Sequence, residues 1–191
     1  MGASPSKGTP MKIRPVVLVT AAAAGALLLA GCSAGSAPSS APATANSAAV
    51  VAEKEVIQMP RLSDTAAQKA AAVALEQCKK DGFGFVSVSV VDRFGQLQAF
   101  VRGNGAAEHT IEASKQKAYT SAAFGADTAA LVERASGTGP GFRDLPGTLF
   151  LPGGVTFKSG ESSIAGIGVS GAPSGDADAV CAAAGASAIA G

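Results

Sequence analysis

The chain has 191 residues and a formal charge of +1. The first 31 residues carry Lys7, Lys12 and Arg14 and no acid, so the remainder has a net charge of −2. That balance gives no electrostatic basis for nucleic-acid binding, which needs concentrated positive charge, and the length suits one domain with a single core. Aromatic residues make up 5%, Trp is absent and Gly occurs 24 times. The expected core is built from small side chains, with helices lying close on a sheet and few large apolar groups to bury.

The chain opens with a basic stretch, and residues 16–30 are apolar apart from Thr20. Such a run fits a signal peptide and falls short of the about 20 residues a membrane span needs. It ends Leu28-Leu29-Ala30-Gly31-Cys32, which resembles the lipobox of bacterial lipoproteins. The resemblance implies cleavage before Cys32, diacylglycerol on its thiol and acylation of the new amino group in many bacteria. More than one acyl chain is what stable anchoring requires. Residues 1–31 are then a lipoprotein signal peptide and 32–55 a lipidated linker. Residues 56–191 are a folded domain outside the cytoplasm, at the cell surface or in the periplasm. Residues 33–52 are rich in Ser, Ala and Pro and read as a flexible tether.

Within the domain, Ser63-Asp64-Thr65 offers N-cap residues, and Thr65 with Gln68 fits a capping box. Ala66, Ala70, Val73, Ala74 and Cys78 then fall on one face of a helix that Gly82 and Gly84 end. Residues 85–91 alternate, with Val86, Val88 and Val90 on one side and Ser87 and Ser89 on the other, the pattern of a half-buried strand. Asp92-Arg93-Phe94-Gly95 is a turn, and 96–102 returns as the second strand of a hairpin. Thr110 caps a helix to about Phe124, and Asp127 or Thr128 caps a short third one. A Gly- and Pro-rich loop spans 137–147. Short strands at 149–151 and 155–158 flank Pro152-Gly153-Gly154, a fifth covers 164–170, and a helix runs from Asp176 to about Ala190. Hairpin spacing predominates, so the predicted fold is α+β, an antiparallel five-stranded sheet flanked by helices.

Six segments, in order, resemble the GlcG/HbpS haem-binding family. They are the run from Val86 to Gly95, Arg102-Gly103-Asn104-Gly105-Ala106, Ala113 with Lys117-Ala118-Tyr119-Thr120, Leu151-Pro152-Gly153-Gly154, the run from Gly166 to Ala172, and Asp178. An Asp often stands in that family at the place of Asn104. The resemblance covers about 62–188 and implies a helix-flanked sheet that assembles into homo-oligomers. Some members bind haem and protect against or sense it, whereas others have no assigned reaction.

His109, the only histidine, stands at or just before the start of the central helix. It reads either as an axial ligand of haem iron or as a capping or surface residue. A lone histidine without a Cys or His cluster cannot make a zinc site. Tyr119, Met59 or a lysine is the candidate second iron ligand. Lys117 and Arg102 read as contacts to a ligand carboxylate such as a haem propionate; a bridge from Arg102 to Glu112 competes with that role. Lys115 reads as a solvated face. Gly153 and Gly154 lack the spacing and helix context of a phosphate loop; they suit tight backbone approach beside a ligand pocket. Ser170-Gly171 has no nucleophile elbow around it, and no catalytic residue is assigned. Asp176 and Asp178 most simply cap the last helix.

With Cys32 lipidated, Cys78 and Cys181 remain as an even pair outside the cytoplasm and are expected to form a disulfide between the first and last helices. Two functions follow. One is a membrane-anchored haem-binding lipoprotein that captures, buffers or senses haem. The other is a binder of small organic acids, or an enzyme, using Arg102 and Lys117 on the same fold.

Overall fold

The structure is a computed structural model describing residues 48–191. Cys32 and the apolar run before it lie outside the described residues. No helix among the described residues is long and apolar enough to cross a membrane.

Helix α1, Asp64–Lys80, precedes strands β1, Ser87–Asp92, and β2, Leu97–Arg102. Helix α2, His109–Phe124, and a single turn α3, Thr128–Leu131, follow. Strands β3, Gly154–Ser159, and β4, Ser162–Ser170, then lead into α4, Gly175–Ser187. The four strands form one antiparallel sheet in the order β2-β1-β4-β3. Helices α1 and α4 pack side by side on one face, and α2 lies across β4, β1 and β3 on the other. The expected antiparallel α+β sandwich is present, with four strands instead of five. Residues 149–151 form no strand because Leu149 N–H donates to Thr120 Oγ1 at 2.8 Å and Phe150 turns inward, edge-on to Phe124 at 5.2 Å.

The main core lies between the sheet and the α1/α4 layer. Val86, Val88, Val90, Ile167 and Val169 meet Ala67, Ala70, Ala71, Ala74 and Leu75, all buried. The buried face of α1 is thus turned by one residue from the expected one, and Ala66 and Val73 stand half-buried at its flank. Ser63, not Thr65, is the N-cap, its Oγ accepting from Ala66 N–H at 3.2 Å; no Thr65–Gln68 box forms. Cys78 and Cys181, both fully buried, join α1 to α4 in a disulfide across 103 residues, as expected.

Strand β1 is buried along its whole length, contrary to the half-buried reading. Its serine face meets α2 through paired hydroxyls, Ser87 to Thr110 and Ser89 to Ser114, each at 2.8 Å. On neighbouring β4, a Cβ at Gly166 would strike the Ala118 carbonyl and one at Gly168 the Ser114 carbonyl. The two glycines let the α2 backbone lie directly on the sheet, the close approach that a strand glycine permits.

Candidate functional site

Helix α2 begins at His109 itself. Thr110, expected as its cap, is the second helical residue and donates from Oγ1 to Ala107 O at 2.6 Å. The glycine contacts and hydroxyl pairs that seat α2 therefore also fix where the His109 imidazole emerges, exposed, at the end of the sheet where β4 finishes.

Beside it is a cleft of about 390 Å³. Helix α2 contributes His109, Ala113 and Lys117; the segment before β3 contributes Leu149, Leu151 and Pro152. The end of β4 and the first turns of α4 close the far side, from Ser170 through Ser174 and Gly175 to Asp178. The volume and the mix of apolar wall with a few convergent polar groups are those of a small-molecule site. A second cavity, about 440 Å³, lies along the loop from Arg134 to Leu145. Its cation, Arg134, is stacked over Phe124 and Phe142 at 6.0 and 5.4 Å from the ring centres, and no histidine or lysine lines it.

Behind the first cleft lies an ion pair. Lys117 Nζ donates to Asp178 Oδ2 at 2.7 Å and to Val169 O at 3.1 Å, with 4% and 5% of the two side chains exposed. Asp178 Oδ1 accepts from Ala172 N–H at 2.9 Å. Burial raises the Asp178 carboxyl above its ordinary pKa of 3.8; the Lys117 ammonium and the Ala172 amide oppose that rise. The pair ties α2, the end of β4 and α4 together. Gly153, at φ +122°, lies over it: a Cβ there would be 2.8 Å from Asp178 Cβ and 2.9 Å from Lys117 Nζ.

The expected site residues are thus distributed. His109 and Lys117 share the cleft, but the ammonium of Lys117 is committed to Asp178 and Val169 instead of facing outward. Gly153 and Gly154 are buried behind the cleft and pack against Lys117. Arg102 is exposed and donates to the Ala106 carbonyl, closing its own loop; no bridge to Glu112 forms, and Glu112 accepts from Gln116 Nε2. Tyr119 packs on Gly95 and lines a different hollow with Phe94 and Lys115. Ten residues along α2, about 15 Å of helical rise, separate it from His109. Met59 is 51% exposed in the segment before α1. Neither Asp176 nor Asp178 caps α4; Ser174 does, accepting from Ala177 N–H at 3.1 Å. Sequence reading missed the Lys117–Asp178 pairing because 61 residues separate the partners, and missed the apolar wall because residues 149–151 read as a strand.

A four-stranded antiparallel sheet with two helices on one face, one on the other and a cleft at the strand ends defines an α+β domain with one candidate ligand site. The comparisons place it further. A family model described as haem degrading protein HbpS-like matches residues 62–187, and the chain belongs to that family. A double mutant of Streptomyces reticuli HbpS is 40% identical, with a TM-score of 0.72, covering 77% of this chain and 99% of that one. A crystal structure of HbpS is 41% identical, with a TM-score of 0.71, covering 75% and 100%. A PduOC–haem complex shares the fold at 24% identity and a TM-score of 0.62, covering 68% and 96%. No curated protein matches the chain significantly.

Proposed function

We propose that this chain is a haem-binding lipoprotein that captures, buffers or senses haem outside the cytoplasm. The observation that carries the reading is His109, an exposed imidazole at the mouth of a cleft walled by Leu149, Leu151 and Pro152. The family description and the haem bound to PduOC support the same ligand. These residues fit the group: an imidazole nitrogen suits haem iron, and Leu149, Leu151 and Pro152 offer apolar surface to a porphyrin. Haem, when bound, would supply an iron centre, and His109 would hold it through an imidazole nitrogen. The chain's part is to hold that imidazole on a helix seated rigidly on the sheet.

The organic-acid reading rests on Arg102 and Lys117 acting together. They lie on separate surfaces, each bonded within the chain, so haem is the better supported ligand. The anchoring reading rests on Leu29-Ala30-Gly31-Cys32, and a buried disulfide suits an oxidising compartment. Phe94, Leu97 and Phe100 stand exposed at β2 and its turn, apolar surface consistent with assembly of several copies.

Titration of the full-length protein with haemin tests the ligand. A saturable Soret shift is expected, and His109→Ala should abolish it; because His109 is exposed, the variant should fold normally. Absence of a saturable shift in the unaltered chain would remove the haem reading.

A further inference from the structure

Nine serines and threonines are buried among the described residues. Eight hydrogen-bond through their hydroxyls: Ser87, Ser89, Thr110, Ser114, Thr120, Ser121, Thr128 and Ser163. Ser170 does not. It is the last residue of β4 and 7% exposed. Its cross-strand partner Ser87 spends its hydroxyl on Thr110. A buried hydroxyl without a partner is costly to keep, yet Ser170 Oγ is not sealed off, since Gln98 Oε1 is the one fully covered side-chain polar atom left unbonded among the described residues. What remains of its exposure opens on the cleft that Ser170 lines.

Facing the same space is the start of α4. The Ser174 hydroxyl takes the Ala177 N–H, leaving the Gly175 and Asp176 N–H groups at the first two helical positions without an intrachain acceptor, as helix starts do. Gly175 lines the cleft and is tucked against Pro152: a Cβ there would lie 3.1 Å from Pro152 O. Lys117 uses two of its three protons, on Asp178 and Val169. Asp178, the one carboxylate among the residues lining the cleft, has both oxygens occupied, by Lys117 and by Ala172 N–H. The corner thus offers a free hydroxyl and free amides at a helix N-terminus, with the paired Lys117 ammonium behind them. That is a donor set for an anion.

We propose that this corner of the cleft, formed by Ser170, Lys117 and the first turn of α4, is a carboxylate-binding subsite. It rests on the haem reading only in using the same cleft, which His109 also lines. The carboxylate is either a propionate of a bound porphyrin or that of a small free acid. Ser170 Oγ donates to one oxygen, and the Gly175 N–H at the start of α4 donates to the other.

The test uses the full-length protein and its Ser170→Ala variant, with two pairs of probes: propionate against propionamide, and haemin against haemin dimethyl ester. Ser170→Ala removes a hydroxyl with no internal partner, so its Tm should match the unaltered chain. Losing one hydrogen bond to a charged group should weaken carboxylate binding about tenfold or more. If the acid is free, propionate binds, propionamide does not, and Ser170→Ala weakens propionate. If it belongs to a porphyrin, haemin binds more tightly than its ester, and Ser170→Ala removes the difference. Either result supports the subsite. Equal behaviour of acid and masked acid in both pairs, or identical affinities with and without the Ser170 hydroxyl, overturns it. A His109-dependent Soret shift surviving in that case leaves the haem reading standing; propionate binding without any haemin binding removes haem and keeps the subsite.

Discussion

Replacing Lys117 by Met tests the ion pair behind the cleft. Lys117 and Asp178 are 4% and 5% exposed, with their charged atoms 2.7 Å apart. Removing one member of such a buried pair leaves an uncompensated charge and typically costs about 3–5 kcal/mol, a large share of a total stability of roughly 5–15 kcal/mol. Lys117→Met also frees the Val169 carbonyl. The expected Tm loss is roughly 10 °C or more. Asp178→Asn in the same background should recover most of it: the Asn oxygen can accept from Ala172 N–H, and its amide can donate to the freed Val169 carbonyl. Thermal unfolding followed by circular dichroism, with the Cys78–Cys181 bridge intact, gives the four corners of the cycle. The reasoning fails if Lys117→Met costs less than about 1 kcal/mol, or if adding Asp178→Asn makes the chain weaker still.

Four further outcomes follow from the same structure. Burial raises the Asp178 carboxyl above 3.8, so the folded chain binds more protons than the unfolded one just above that pH. Its contribution to stability is present below pH 3.8 and is lost as pH rises through the folded-state value; unfolding free energies of the unaltered chain should show this slope relative to Lys117→Met/Asp178→Asn, and parallel curves would contradict it. Gly168→Ala places a methyl against the Ser114 carbonyl and 2.5 Å from Ala118 N, so it should cost about 1–3 kcal/mol by urea unfolding and lower haemin affinity as α2 lifts. Cys78→Ala/Cys181→Ala opens a 103-residue separation and should cost about 2–5 kcal/mol; two alkylatable thiols in the native unaltered protein would refute the bridge. Intact-mass measurement should find an added acyl mass on the unaltered protein and none on Cys32→Ala; equal masses apart from the substitution would refute lipidation.

The hairpin of β1 and β2, the α2 span ending at Phe124, and the pairing of α1 with α4 were legible because each is announced locally. Valine alternation, a turn with Asp first and Gly fourth, and a cysteine on each of two small-residue helices are enough. The errors came where a tertiary partner reassigns a polar group. Ser87 and Ser89 carry the signature of a solvent-facing strand edge, yet their hydroxyls are consumed by Thr110 and Ser114 of a helix some 25 residues away. Alternation reports which side chains differ in polarity; it does not report whether the polar side faces water or another hydroxyl. Leu149-Phe150-Leu151 has strand composition, but Thr120 captures its backbone.

The site was harder to read for the same reason, and the consequence bears on function. From sequence, Lys117 reads as a ligand contact and Arg102 as either a ligand contact or a partner of Glu112, because a cation near a pocket invites an anion. In the fold each meets an internal acceptor first: Asp178 and Val169 for the lysine, Ala106 for the arginine. Neutralising Lys117 leaves the cleft without a free positive side chain among its lining residues. Any acidic ligand must then be held by neutral donors and helix-end amides, which makes the unpaired hydroxyl of Ser170 more telling than either cation. A site of that kind binds a carboxylate carried on an apolar body more readily than a compact, strongly hydrated anion, since burial of that body against Leu149, Leu151 and Pro152 offsets part of the desolvation cost. Affinity should therefore rise with the apolar surface attached to the carboxylate, from propionate to a porphyrin. Equal affinity across such a series would show that the wall contributes nothing.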